Sequence, residues 1–119
     1  MADAPVIDQQ AIENLRLLDP SNNDEFLREI VGIFLDDTPQ RIAELEQSLA
    51  ANDVAKFTRA AHSIKGSSAN LGAMALRIVA ETLEHQSRKE GLGGLAPLIG
   101  AVKAEFARAQ VELAKLLPK

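Results

Sequence analysis

The sequence contains no cysteine, tryptophan or tyrosine, and only 4 phenylalanines among its 119 residues. The absence of cysteine excludes disulfide bonds, thiol catalysis and cysteine-ligated zinc or iron–sulfur sites, and it suits a reducing compartment. With 3% aromatic residues and a net charge of -4, the chain also lacks the stacking side chains and the excess of positive charge that nucleic-acid binding uses. We therefore expect no nucleic-acid partner.

Long apolar runs are missing as well. No stretch approaches the roughly 18 apolar residues that indicate a membrane-spanning helix. Residues 1–10 carry neither the basic nor the apolar segment of a secretory signal. We expect a cytoplasmic protein without a membrane partner, and the start at Met1 favours a free-standing protein. The composition, 25% charged and 46% hydrophobic, predicts one globular domain over residues 1–119, with residues 1–7 as a flexible N-terminal segment.

What the sequence does contain is helical periodicity from end to end. Apolar residues recur at spacings of three and four, and no alternating strand pattern interrupts them. The pattern predicts helices over residues 8–18, 23–37, 39–51, 54–71, 74–90 and 95–117. Helices joined by short loops pack antiparallel. The predicted fold class is therefore all-α, a monomeric up-down four-helix bundle with an additional short N-terminal helix.

Capping residues set the boundaries of these helices. Asp8 is the expected N-cap of the first helix, and Ser21 or Asn22 that of the second. Thr38 followed by Pro39 is typical of a helix start, although the segment also fits as a kinked continuation of the second helix. Asp53 marks the start of the helix that contains His62, and Gly72 marks its end.

The predicted helix over residues 54–71 has two unlike faces. Its core-facing stripe consists of Val54, Phe57, Ala61, Ile64, Ser68 and Leu71. At about 100° per residue, His62 lies about 130° from the centre of this stripe and Gly66 about 170°. The outward stripe consists of Ala55, Arg59, His62, Gly66 and Ala69. We therefore predict that His62 is exposed, with Lys65 on the same side of the helix.

The sequence that follows His62 is locally unfavourable for a helix. A glycine inside a helix costs ~1 kcal/mol relative to alanine, and Ser67 and Ser68 are also weak helix formers. Such local conflicts concentrate at functional sites. A neutral imidazole is a nucleophile near neutral pH, and Lys65 offers a compact cation for a phosphoryl oxygen. Gly66 leaves the surface beside His62 bare, as the approach of a bulky partner requires.

The eleven residues 62–72, His-Ser-Ile-Lys-Gly-Ser-Ser-Ala-Asn-Leu-Gly, resemble the signature of histidine-containing phosphotransfer (HPt) domains. The resemblance covers nearly the whole chain. Phe-Leu-x-x-Ile-Val-x-x-Phe at residues 26–34, Asp-Thr-Pro at 37–39 and Asn-Asp before the His62 helix are also similar to the family. The resemblance implies that His62 is the phosphoacceptor, that Lys65 stabilises phosphoryl charge and that Gly66 admits the partner.

The resemblance also implies partners and a mode of action. HPt domains take a phosphoryl group from a receiver-domain aspartyl phosphate and pass it to another receiver. The implied partners are response-regulator receivers and a sensor histidine kinase. No ATP site, kinase activity, cofactor or metal is expected, and any Mg²⁺ belongs to the receiver. Some members orient the imidazole through a polar side chain on the next helix, and Glu84 lies near the matching position. Arg59 and Ala69 are expected to contact a docked partner beside Gly66.

Two other functions stay open at this point. The same bundle fits an interaction module that binds a receiver or another regulator without carrying phosphate. A metal-dependent bundle enzyme would use His62, His85 and a glutamate, but the sequence has neither two histidines one turn apart nor a Glu-x-x-His pair. The Lys-Gly-Ser-Ser segment at residues 65–68 lacks the glycine and the strand that precede the lysine of a P-loop.

Overall fold

The computed structural model describes residues 5–18 and 24–117, and within these ranges the chain forms five helices and no strand. The helices are α1 (Gln9–Leu17), α2 (Glu25–Ala51), α3 (Val54–Asn70), α4 (Met74–Glu90) and α5 (Ala96–Leu116). In this described part, none of them combines the length and apolarity needed to cross a membrane. The predicted all-α fold is confirmed.

The core lies between the four long helices. α3 packs against both α2 and α4, and α5 closes the bundle against the same two helices. Phe34 of α2 and Phe106 of α5 meet edge to face, with ring centroids 5.5 Å apart. Phe57 and Ile64 bring α3 into the same core. Burying a side chain of this size contributes roughly 1.5–3 kcal/mol, so these residues fix the position of α3 between its neighbours.

α2 is a single helix. Of the two possibilities that the sequence left open at residues 38–39, a helix start or a continuation of the second helix, the structure has the continuation. Thr38 is buried inside the helix and caps nothing, and Pro39 is exposed within it. Proline has no N–H, so the carbonyl of Leu35 loses its usual helical partner. The helix continues because Phe34 and Ile42, on either side of the proline, both pack into the core. Tertiary packing thus overrides a local start signal.

Side-chain caps form at two of the predicted positions. The side chain of Asp8 accepts a hydrogen bond from the backbone N–H of Gln10 at 3.0 Å. The side chain of Asp53 accepts one from Lys56 at 3.1 Å. The other predicted caps, Ser21 and Asn22, lie outside the described residues.

Residues 5–8 run across the turn between α3 and α4. The backbone N–H of Asp8 donates to the carbonyl of Gly72 at 2.7 Å, and that of Ala75 donates to the carbonyl of Pro5 at 3.1 Å. Gly72 has a φ of +71°, and a Cβ there would lie 2.9 Å from the Asp8 carbonyl oxygen. Ile7 is buried, and the carbonyl of Pro5 is the acceptor for Ala75 in the first turn of α4. The flexibility expected for residues 1–7 stays a prediction. Residues 1–4 lie outside the described part.

The two faces of α3 match the predicted stripes with one exception. The predicted outward residues are all exposed: Ala55, Arg59, His62, Gly66 and Ala69. Val54 was expected in the core but is 37% exposed, because it is the first residue of α3, at the end of the bundle. Ala60 is buried in addition to the predicted stripe. Periodicity therefore placed His62 on the correct side of the helix.

Candidate functional site

His62 lies near the middle of α3 on its exposed face. Its side chain is 64% exposed. One turn further on, Gly66 is exposed, and a Cβ built there would meet nothing within 4 Å. No contact within the described part of the protein therefore requires a glycine at this position. We call this open surface of α3 around His62 and Gly66 the crest, and it leaves room for another molecule to approach the imidazole.

Glu84 of α4 holds three basic groups. Its side chain is only 5% exposed, and its Oε2 lies 2.7 Å from Nδ1 of His62. Its Oε1 lies 2.6 Å from Nζ of Lys65, and Nη2 of Arg88 donates to Oε2 at 3.0 Å. These four side chains, His62, Lys65, Glu84 and Arg88, form the charged cluster. The cluster joins the exposed face of α3 to α4.

The charged cluster fixes the ionisation of Glu84. Burial by itself raises the pKa of this carboxyl, but hydrogen bonds from Lys65 and then His62 outweigh burial and lower the pKa to about 2. An ionised carboxylate only accepts hydrogen bonds. Nδ1 of His62 must therefore carry the proton of the neutral imidazole, which leaves the lone pair on Nε2.

Nε2 is the free nitrogen of His62, since the hydrogen bond of the ring within the described residues involves Nδ1. Beside the ring is an open depression of about 380 Å³. Its lining consists of Thr58, Arg59, His62, Ser63 and Arg88. Two guanidinium groups thus flank the nucleophilic side of the crest. The depression suits an anionic group presented by a partner.

The hydroxyl groups of the two serines after Gly66 form hydrogen bonds within the helix. Ser68 is fully buried, and its hydroxyl donates to the carbonyl of Ile64 at 2.6 Å. The hydroxyl of Ser67 donates to the carbonyl of Ser63 at 3.1 Å. Such bonds satisfy a hydroxyl inside a helix without a ligand.

The opposite side of the crest, towards α2, is polar beside Arg59 and Ser63, where Arg41 and Glu44 line a depression, and it is apolar further along α3, beside Ser67 and Asn70. A groove of about 110 Å³ lies between α2 and α3, and we call it the α2 groove. It is lined by Ile30, Ile33, Phe34, Asp37, Ser67, Asn70 and Leu71. Ile33 is 58% exposed at its edge. The crest therefore has a charged flank towards α4 and, beside Ser67 and Asn70, an apolar flank towards α2.

A metal centre receives no support from the geometry. Within residues 5–18 and 24–117, no three side chains of histidine, aspartate or glutamate are placed to hold an ion together. His85 is exposed and takes part in none of the contacts of the charged cluster. His62 is paired with Glu84 instead.

Three of the residues predicted from the sequence meet in the charged cluster: His62, Lys65 and Glu84. The predicted docking residues share the exposed stripe around them: Arg59, Gly66 and Ala69. Sequence reasoning missed Arg88. Its signal was the spacing of four from Glu84, because opposite charges one turn apart on a helix contact each other.

The chain is similar to known proteins. The model of the Hpt domain family matches residues 29–112, and the chain belongs to this family. Multistep phosphorelay regulator 1 of Schizosaccharomyces pombe is 30% identical over 96 residues, 81% of this chain and 32% of that protein. Histidine-containing phosphotransfer protein 1 of Oryza sativa subsp. japonica is 29% identical over 104 residues, 85% of this chain and 69% of that protein. The chain thus spans about a third of the first relative's length.

Solved structures share the fold. The crystal structure of histidine-containing phosphotransfer protein B from Pseudomonas aeruginosa PAO1 superposes with a TM-score of 0.86 at 28% identity, covering 97% of this chain and 96% of that one. MtHPt2 from Medicago truncatula gives a TM-score of 0.80 at 22% identity, covering 93% and 76%. The second likeness shows the bundle alone, and the first covers almost the whole of both chains.

Proposed function

We propose that this protein is a phosphorelay intermediate that accepts a phosphoryl group on His62 from a receiver-domain aspartyl phosphate and passes it to another receiver. One observation carries the proposal: a buried, ionised Glu84 holds Nδ1 of His62 at 2.7 Å, so that Nε2 is the nucleophile on an exposed crest. Membership of the Hpt domain family and the names of the two relatives support the same function.

The transfer step follows from this geometry. The lone pair of Nε2 attacks the phosphorus, and the bond from phosphorus to the partner's aspartate breaks with its electron pair returning to that carboxylate. Phosphoryl transfer needs mainly positioning and charge stabilisation. Lys65 gives one of its three N–H donors to Glu84 and keeps two for phosphoryl oxygens. Arg88 adds a second positive charge beside the ring.

The receiver domain docks over the bare crest at Gly66. In this proposal Arg59 and Ala69 contact it on the crest, and its apolar surface covers the α2 groove, which is continuous with the crest through Ser67 and Asn70. The protein acts as a cytoplasmic monomer downstream of a sensor histidine kinase. It has no kinase activity or cofactor of its own, and the Mg²⁺ of the reaction belongs to the receiver.

The test is the transfer of label from phosphorylated receivers. We expect the protein to take up acid-labile phosphate from at least one of a panel of labelled receivers, and the His62→Gln variant to take up none. His85→Gln, which changes the other histidine, should be labelled normally. Since His62 is exposed, its replacement should leave the melting temperature nearly unchanged.

Two outcomes would contradict the proposal. A labelled, folded His62→Gln protein would show that another residue is the nucleophile. A wild-type protein that binds receivers but stays unlabelled would favour a pure interaction module.

A further inference from the structure

The residue that holds Nδ1 of His62 can only accept a hydrogen bond. Glu84 is buried and ionised, with Lys65 at 2.6 Å and Arg88 at 3.0 Å on its oxygens. An amide of the same size offers both an acceptor and a donor, and it can turn either one towards the ring. A carboxylate held by two cations has no donor to offer. It therefore favours a ring that carries a proton on Nδ1 in every state of the site.

We infer that Glu84 keeps the Nδ1 proton on the imidazole after His62 is phosphorylated, and that it thereby holds the phosphohistidine in its transferable form. This inference rests on the proposed function, which supplies the phosphohistidine. Glu84 acts here as a positioning residue for a proton, in addition to orienting the ring.

The chemistry of both transfers balances without any proton exchange. When Nε2 bonds to phosphorus, the ring keeps its Nδ1 proton and becomes positively charged. In the onward transfer the P–N bond breaks, its electron pair returns to Nε2, and the ring leaves as neutral imidazole. A phosphorylated ring that has lost the Nδ1 proton would have to leave as an imidazolate anion, which is a poor leaving group. The protonated form is therefore the reactive one.

The surroundings of the ring make this carboxylate necessary. The charged groups near His62 come from three helices: Arg59 and Lys65 from α3, Glu84 and Arg88 from α4, and Arg41 with Glu44 from the adjoining part of α2. Arg41 and Glu44 pair with each other at 2.9 Å. The cations suit a phosphoryl group, but they disfavour a positive ring. Only the negative charge of Glu84, in direct contact with Nδ1, offsets them.

The experiment compares phosphorylated wild type with phosphorylated Glu84→Gln after removal of the receiver. ¹⁵N NMR of the imidazole reports the proton on Nδ1, and the loss of label reports the lifetime of the phosphohistidine. In Glu84→Gln the Nδ1 proton should be lost roughly one to three pH units lower than in wild type. At about pH 8 the label of the variant should last roughly tenfold longer and pass to a receiver roughly tenfold more slowly, the factor expected for a shift of one unit.

Two further variants complete the test: one is a control, and the other should shift the loss of the Nδ1 proton in the opposite direction. Glu81→Gln removes an exposed carboxylate of α4 that pairs with Arg77, and it should behave as wild type. Arg88→Gln removes a cation from the cluster at an exposed position, so the ring should keep its Nδ1 proton to a higher pH. This variant also keeps the inference testable if Glu84→Gln fails to fold.

Each outcome tests either the inference or the proposed function. Equal Nδ1 titrations in wild type and Glu84→Gln, or the same shift in Glu81→Gln, would overturn the inference while leaving the proposed function intact. A shift in Arg88→Gln to lower pH would overturn it too. A wild-type protein that takes up no label would instead remove the proposed function itself.

Discussion

The two flanks of His62 differ in kind. On the α4 side, Glu84 is buried and saturated with three basic partners. On the α2 side, Ile33 stands exposed at the rim of an apolar groove. The first flank acts on the imidazole directly, whereas the second has no hydrogen-bonded link to it. In the proposed function, the difference teaches that α4 supplies the group that acts on the imidazole, whereas α2 supplies apolar surface for the receiver.

The largest effect we expect concerns the charged flank in acid. The pKa of Glu84 is lowered from 4.5 to about 2 in the folded protein. The ionised carboxylate therefore stabilises the folded protein above about pH 4.5. This stabilisation is lost as the pH falls towards 2, because the unfolded chain takes up a proton on this carboxyl at a higher pH than the folded protein does. The loss amounts to about 3 kcal/mol at most.

Denaturant unfolding of wild type and Glu84→Gln between about pH 6 and pH 2 measures this loss. The gap in unfolding free energy between the two proteins should shrink as the pH falls. Glu81→Gln should run parallel to wild type, since its carboxylate is exposed. Parallel curves for Glu84→Gln as well would contradict the depressed pKa of Glu84.

The next effect concerns Gly66, between the two flanks. Because a Cβ meets nothing there, Gly66→Ala should stabilise α3 by up to ~1 kcal/mol. Gly66→Gln should keep the fold and slow receiver-to-His62 transfer by roughly thirtyfold, as expected for about 2 kcal/mol of steric conflict at a closely packed contact. Melting temperature and transfer rate of both variants are the measurements. Normal transfer in folded Gly66→Gln would remove the argument that the glycine admits a partner.

A smaller effect is expected from Lys65, on the charged flank. Lys65→Ala should slow transfer about tenfold, because it removes one positive charge beside the phosphoryl group, and that charge is already shared with Glu84. Receiver binding should change little, whereas the melting temperature should fall, because Lys65 is a direct partner of the buried carboxylate of Glu84. Lys56→Ala removes another lysine of α3, whose ammonium group donates to Gln47 at 3.3 Å, and it is the matched control. Equal transfer rates for the two variants would make Lys65 a surface lysine.

The smallest effect tests the apolar flank. Ile33→Ser should weaken receiver binding about fivefold, the result of losing about 1 kcal/mol of apolar burial at the interface. The lifetime of the phosphohistidine should not change, because the α2 groove does not touch the charged cluster. Val111→Ser changes an exposed valine on α5 and serves as the control. A changed lifetime of the phosphohistidine in Ile33→Ser would show that the two flanks of His62 do not act separately.

Local patterns accounted for much of the fold and for part of the site. The exposure of His62 and Gly66 followed from the helical period alone, since periodicity within one helix needs no knowledge of its neighbours. At Thr38-Pro39 the sequence allowed either a helix start or a continued helix, and it could not decide between them, because the packing of Phe34 and Ile42 on the core is what continues the helix past the proline.

Contacts between helices were harder to predict. Lys65 and Glu84 are 19 positions apart on different helices, and only the packing of α3 on α4 brings their charges to 2.6 Å. The contact between Lys65 and Glu84 therefore had no signal in the sequence, whereas the contact of Glu84 with His62 was expected from the family resemblance. Arg88 did have one, its spacing from Glu84 on α4.

The exposure of His62 has a consequence for the lifetime of the proposed phosphohistidine. A nucleophile in a closed cleft shields its covalent intermediate from water, whereas a side chain that is 64% exposed leaves a bound phosphoryl group open to water. In the proposed function, hydrolysis then competes with transfer to a receiver. The fraction of phosphoryl groups transferred depends on how soon a receiver binds, and hence on the concentration of receivers.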